Sequence, residues 1–229
     1  MIKLTPVLLV LVYGLVMYRF SVWRTHRELD TKSTELADPH LKSLTDRLAA
    51  ALDLPRIRVF IYEIDPVNGL AAPDGRIFIT RGFFRKYRSG EVSGEELLSV
   101  IAHELGHVAL GHSRRRMIDF SGQNALRTVL TMMIGRYIPF VGAWIAGLIT
   151  TLLAARLSRQ DEYEADEYAA ALLTKAGIGI APQISLFHKL DTLTKNRAGT
   201  APAWLMSHPE TAQRIKALES LDTRWQTST

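Results

Sequence analysis

SGEELLSVIAHELGH, residues 93–107, reads as a helix with a metal-binding turn near its end. Ser93 stands three residues before Glu96, the spacing of a capping box: the serine hydroxyl accepts from the first turn and the carboxylate reaches back. Leu97, Leu98, Ile101, Leu105 and Val108 recur at helical intervals and are expected to face a core. Gly111 is suited to stop the helix. His103 and His107 are one turn apart, about 40° round the wheel, so both imidazoles can reach one tetrahedral zinc. Glu104 cannot be a further ligand from the same turn, but it can act on a zinc-bound water, as the Glu of H-E-x-x-H does. The competing reading is an amphipathic helix with two solvated histidines. A third ligand would separate the two.

Upstream, Asp38-Pro39 opens a helix as N-cap and first residue. Leu41, Leu44, Leu48 and Leu52 form its apolar stripe, and Pro55 ends it. Residues 56–64 (RIRVFIYEI) alternate and are rich in β-branched side chains, which predicts a strand. Asn68-Gly69 signals a turn, 70–72 a short strand, Asp74-Gly75 a second turn and 76–80 (RIFIT) another strand. The expectation is a small antiparallel sheet laid just before the HELGH helix. Its edge could bind a protein or peptide substrate in extended form.

Downstream, 125–155 is apolar, interrupted by Arg127 and Arg136. A single crossing of a membrane there would separate His107 from any ligand beyond it. Two crossings need about 20 residues each. The stretch is therefore expected to be an apolar hairpin that does not span. Residues 154–176 have a strong helical pattern ending at Gly177, and 181–194 form a further helix. Residues 195–203 read as a mobile loop. His208-Pro209 starts a last helix with Ala212, Ile215, Leu218 and Leu221 as its core face.

The third ligand has two sources. His112 lies one position short of the register in which a third histidine would complete the site, and about 140° round the helix from His107. It is read as structural or solvent-facing. The acids Asp161, Glu162, Glu164, Asp166 and Glu167 are the other source. Glu162 and Asp166, at i and i+4, can put a ligand and the acid that orients a ligating histidine on one face. Glu164 would then face solvent. A charged, exposed helix face remains open on pattern alone.

Composition narrows the class. A net charge of +5 with aromatics not interleaved among Lys and Arg argues against a nucleic-acid partner and suits an anionic lipid bilayer. The absence of cysteine removes disulfides, thiol nucleophiles and a cysteine-based zinc site. Residues 4–18 are an uncharged, apolar run, extendable to Phe20 if Arg19 snorkels. No signal-cleavage pattern follows, so 1–22 is expected to be an uncleaved transmembrane anchor and 23–37 a linker. Arg19, Arg24 and Arg27 after the run favour a cytoplasmic catalytic domain on a bacterial inner membrane.

HELGH at 103–107 together with S-R-x-x-E-Y-x-A-D at 158–166 resembles the HtpX-like and CAAX-prenyl-endopeptidase family of membrane zinc metallopeptidases. The likeness extends to Asn68-Gly69-Leu70-Ala71, Gly75-Arg76-Ile77-Phe78 and Gly82, and to Ser207-His208-Pro209 with Arg214-Ile215. The resemblance implies an α+β, mainly helical zincin-like domain over 38–225, with one Zn2+ per chain. It implies His103, His107 and Glu162 as zinc ligands, Glu104 as general base, Asp166 as the acid that orients a ligand, and His208 near the metal. His208 is a candidate for stabilising the oxyanion, against a structural cap or an inhibitory fourth ligand. The expected activity is metal-assisted hydrolysis of peptide bonds in protein quality control or precursor processing. The alternative is a non-proteolytic, zinc-bearing membrane chaperone or adaptor.

Overall fold

The computed structural model describes residues 4–72, 74–112, 141–195 and 211–227. In chain order they form α1 (Leu4–Thr31), β1 (Ser33–Glu35), α2 (Pro39–Ala51), β2 (Val59–Tyr62), β3 (Gly69–Ala71), β4 (Ile77–Thr80), α3 (Arg81–Arg88), α4 (Gly94–Ala109), α5 (Val141–Lys175), α6 (Ala181–Lys195) and α7 (Thr211–Gln226). Helices dominate and four strands make one sheet, an α+β arrangement.

The sheet is mixed rather than antiparallel. Its order is β1-β2-β4-β3. β3 and β4 form the expected antiparallel hairpin around Gly75, whose φ of 84° suits a residue without Cβ. β4, however, runs parallel to β2, with Phe60 opposite Phe78. Burial explains the placement. Ile77, Phe78 and Ile79 are all fully buried, so β4 needs cover on both faces and takes the centre. Val59, Ile61, Ile77 and Ile79 face the main core, while Phe60 and Phe78 stack on the other side with Leu29 of α1. β3, half-buried beyond Gly69, is left at the edge.

α4 is the axis of the molecule. It packs on α5, α6, α2, β3 and β4. From Gly94 to His107 all its residues but Glu95 are buried, so it is not a surface helix with solvated histidines. The capping box forms as expected, with Glu96 N–H donating to Ser93 Oγ at 3.1 Å and Ser93 N–H to Glu96 Oε2 at 2.8 Å. Glu96 also accepts from Ser185 Oγ at 2.6 Å and Lys189 Nζ at 2.8 Å, which ties the start of α4 to α6. Burial raises the Glu96 pKa, but Lys189, Ser185 and the Ser93 amide outweigh it, and the net shift is downward.

Other elements depart from expectation in their extent. The stretch 23–37 carries the last turns of α1 and then β1, which pairs with β2. The helix expected from 154 begins at Val141 and runs unbroken through the acidic cluster to Lys175. Residues 125–140 of the expected hairpin lie outside the described residues. In α7, Leu218 and Leu221 are buried and Ile215 packs beside them, but Ala212 is exposed and Arg214 takes the inward position. Among the described residues no helix is long and apolar enough to cross a membrane.

Candidate metal centre

Two helices build the site. α4 supplies His103 and His107, and α5 supplies Glu162 and Asp166, one turn apart on the face that meets α4. Gly106 permits the approach: a Cβ there would lie 3.0 Å from the carbonyl oxygen of Ala165 and 3.1 Å from its Cα. The helices therefore touch backbone to backbone between the turns that carry His103 and His107 and those that carry Glu162 and Asp166.

The three donor groups converge. His103 Nε2 and His107 Nε2 are 3.1 Å apart. Each stands 3.5 Å from one oxygen of Glu162. All three residues are buried, and their donor atoms lie within 4.8 Å of one another. Two imidazole nitrogens and one carboxylate are the donor set of an open, catalytic zinc site. The chemistry of the donors fits zinc.

The surrounding side chains fix these groups. His103 Nδ1 is 2.9 Å from Asp166 Oδ1. Asp166 is gripped by Arg214 of α7, whose Nε donates to Oδ2 at 2.6 Å and Nη2 to Oδ1 at 2.7 Å. Arg214 Nη1 lies 3.4 Å from Glu162 Oε2, so one buried cation serves both acids. Its guanidinium also rests 4.7 Å from the ring of Phe187. Gln183 Nε2 donates to the Asp166 carbonyl at 3.3 Å. Burial lowers the His103 pKa, but the hydrogen bonds to Asp166 and Glu162 outweigh it and push the imidazole up to about 9. Burial likewise raises Asp166, and Arg214 and His103 hold it below the usual carboxylate range.

Glu104 is buried, 2% exposed, beneath β3. A Cβ on Gly69 would lie 2.6 Å from Val100 Cγ1 and 3.3 Å from Glu104 Oε1, so the edge strand crosses the helix at this carboxylate.

For His112 the structural alternative holds and the solvent-facing one does not, and Glu164 does not simply face solvent. His112 is fully buried. Its Nδ1 is 2.9 Å from His107 Nδ1, and its Nε2 is 3.1 Å from Glu164 Oε2. His112 is turned inward against His107, and Glu164, about one-third exposed, reaches back to His112. The helical wheel fails because α4 ends before His112 is reached: Leu110 is the C-cap, and Gly111, at φ 69°, turns the chain back. A helical wheel therefore does not extend past Gly111. Arg214 was visible only as part of a family motif, although Arg214, Leu218 and Leu221 share an i, i+4, i+7 face. His208 and residues 196–203 lie outside the described residues.

The chain matches Peptidase family M48 over residues 35–222, and it belongs to that family. It is a zinc metalloendopeptidase. It is 29% identical to "Metalloprotease LoiP" of Escherichia coli K12 over 196 residues, covering 83% of this chain and 74% of that protein. It is 25% identical to "Protease HtpX homolog" of Dictyoglomus thermophilum over 223 residues, covering 82% and 71%. It is 23% identical to human "Metalloendopeptidase OMA1, mitochondrial" over 177 residues, or 73% of this chain and 33% of that one.

Proposed function

We propose that this metalloendopeptidase is held at a membrane by the apolar half of α1 and cuts polypeptides laid in extended form along β3, in protein quality control or precursor processing. The observation that carries the reading is the meeting of His103, His107 and Glu162 at one point, beside Glu104 and an edge strand. In this reading His103, His107 and Glu162 hold the zinc and Asp166 orients His103. Zinc supplies a Lewis acid that acidifies water and polarises the scissile carbonyl. Glu104 takes the proton of the attacking water and delivers it to the leaving amine. Among the described strands β3 pairs only with β4, so its outer edge offers backbone donors and acceptors to an added strand. Gly69 keeps that strand close to Glu104. His208 is retained as the candidate for the oxyanion.

The membrane reading rests on the uncharged run 4–18 and on the exposed Val12, Leu15, Val16, Phe20 and Trp23 along one helix. Arg19, Arg24 and Arg27 follow it, which favours the cytoplasmic side of a bacterial inner membrane.

Cleavage of casein by the full chain and by Glu104→Gln tests the activity. The wild type is expected to cut; the variant is expected to fall to background while still binding about one equivalent of zinc, because Gln keeps the shape but not the base. Casein left intact by the zinc-loaded wild type would favour a chaperone or adaptor.

A further inference from the structure

We infer that His112 is the positioning residue for His107, acting through a hydrogen-bonded chain that runs from His107 to His112 to Glu164. The inference rests on the reading of His107 as a zinc ligand and concerns its far nitrogen, which that reading leaves unassigned.

The distances among the described residues fit one arrangement of protons. His107 Nε2 points, with His103 Nε2 and Glu162, to the centre of the site, and a ligand there must present a lone pair. Its proton is therefore on Nδ1. That nitrogen is 2.9 Å from His112 Nδ1, and two ring nitrogens at this distance share one proton, so His112 accepts. Its own proton is then on Nε2, which donates to Glu164 Oε2 at 3.1 Å. The carboxylate can only accept. Its other oxygen takes a hydrogen bond from Gln160 Nε2 at 2.9 Å, which holds Glu164 in place from one turn earlier in α5. Asp161 Oδ1 lies 3.8 Å from the same His112 nitrogen, too far for a direct hydrogen bond.

The site is thus oriented unequally. His103 leans on an anionic carboxylate that is neutralised by Arg214, whereas His107 leans on a neutral imidazole that passes the contact on to Glu164. Both lines of support end on α5, one at Asp166 and the other at Glu164, so the helix that brings Glu162 also fixes the rings on α4. Gly111 is the residue that makes the second support possible, since only the reversal there returns His112 to the face it left.

The test uses the full chain loaded with zinc and labelled with 15N-histidine. Long-range nitrogen–proton spectra are expected to show His112 protonated at Nε2 and bare at Nδ1; the opposite tautomer overturns the inference. In His112→Asn the amide oxygen stands near the former Nδ1 and still accepts from His107. Zinc affinity is expected to stay within about threefold of wild type there, and to fall about 10–100-fold in His112→Leu, which fills the space without an acceptor. Wild-type affinity in the Leu variant, or equal loss in both, overturns it. So does a zinc stoichiometry of two that returns to one in Asp161→Asn and Glu164→Gln, since His112 would then be a ligand of a second metal. Failure of the underlying reading looks different: His103→Ala would bind zinc as the wild type does.

Discussion

Asp166 is a buried carboxylate held between two cations, and the two contacts can be separated. Replacing Asp166 by Asn leaves an acceptor of lower basicity for His103 Nδ1, and zinc affinity is expected to drop by about 10–100-fold without loss of a ligand; equilibrium competition with a chromophoric chelator measures it. Replacing Arg214 by Met instead takes from Glu162 and Asp166 the guanidinium they share and leaves His103 beside both. That should cost about 3–5 kcal/mol in urea unfolding of chelator-treated protein, and less once zinc supplies positive charge. Equal loss with and without zinc would show that Arg214 matters only for packing on Phe187. His103 gives a pH prediction. Its folded pKa, about 9, is above its ordinary value of 6.5, so its proton stabilises the chelated fold fully below about 6.5 and the gain is lost as pH rises through 9. In the proposed site zinc takes the lone pair on His103 Nε2, so between these limits zinc uptake expels a proton, and affinity should climb about tenfold per pH unit before levelling near pH 9. Calorimetry at pH 7.5 in buffers of different ionisation enthalpy counts that proton, and none released would remove the argument. These contacts were only partly legible in the sequence. The i, i+4 pair of Glu162 and Asp166 was there to be read, but a buried Arg on a leucine face looks like a polar interruption until the acid it serves is in view.

At the scale of elements, caps were the most legible features, because each is a local hydrogen-bond pattern closed within a few residues. Asp38 accepts from His40 and Leu41 amides at 3.1 and 3.0 Å, and Ser93 and Glu96 close their box. Strand partners were not legible. Alternation shows which face is buried, not which neighbour a strand takes, and the hairpin signals at Asn68-Gly69 and Asp74-Gly75 say nothing of β2 lying parallel to β4. α3 was hidden for a different reason: Thr80, read as a strand residue, is also the N-cap that accepts from Phe83 N at 3.3 Å, and the helix it starts has only 8 residues. Packing between α4 and α5 yields a prediction. Gly106→Ala should force a shift of a few tenths of an ångström against the Ala165 backbone. Gly106→Val adds a branched side chain at the same contact and should cost about 1–3 kcal/mol. Because α5 carries both Glu162 and Asp166, the valine variant should also bind zinc at least about tenfold more weakly, by the loss of ligand geometry rather than of a ligand. A thermal midpoint that falls while zinc affinity holds would mean that α5 yields elsewhere along its length.

The whole molecule bears on where the catalytic unit begins. Sequence patterning put that boundary at Asp38, since the anchor-like run and the charged stretch after it look separable from the alternating and helical segments. The contacts argue for an earlier start. Leu29 is 4% exposed and packs with Phe60, Ala72 and Phe78 on the outer face of the sheet. Tyr62 donates to Glu28 at 2.9 Å, and Arg76 Nη1 reaches Asp30 at 2.6 Å. β1 then covers the outer edge of β2, with Thr34 opposite Ile61. A chain beginning at Trp23 should therefore stay folded and bind zinc like the full chain, and under the proposed anchoring by α1 it should leave the membrane fraction. A chain beginning at Asp38 loses Leu29, whose burial contributes about 1.5–3 kcal/mol, and bares the edge of β2. It should melt well below the longer fragment and aggregate on standing. Thermal unfolding, zinc stoichiometry and sedimentation of the two fragments decide the point. If the fragment from Asp38 is as stable and monodisperse as the fragment from Trp23, the end of α1 and β1 are appendages. If the Trp23 fragment still sediments with membranes, the contact with lipid lies elsewhere than the apolar half of α1.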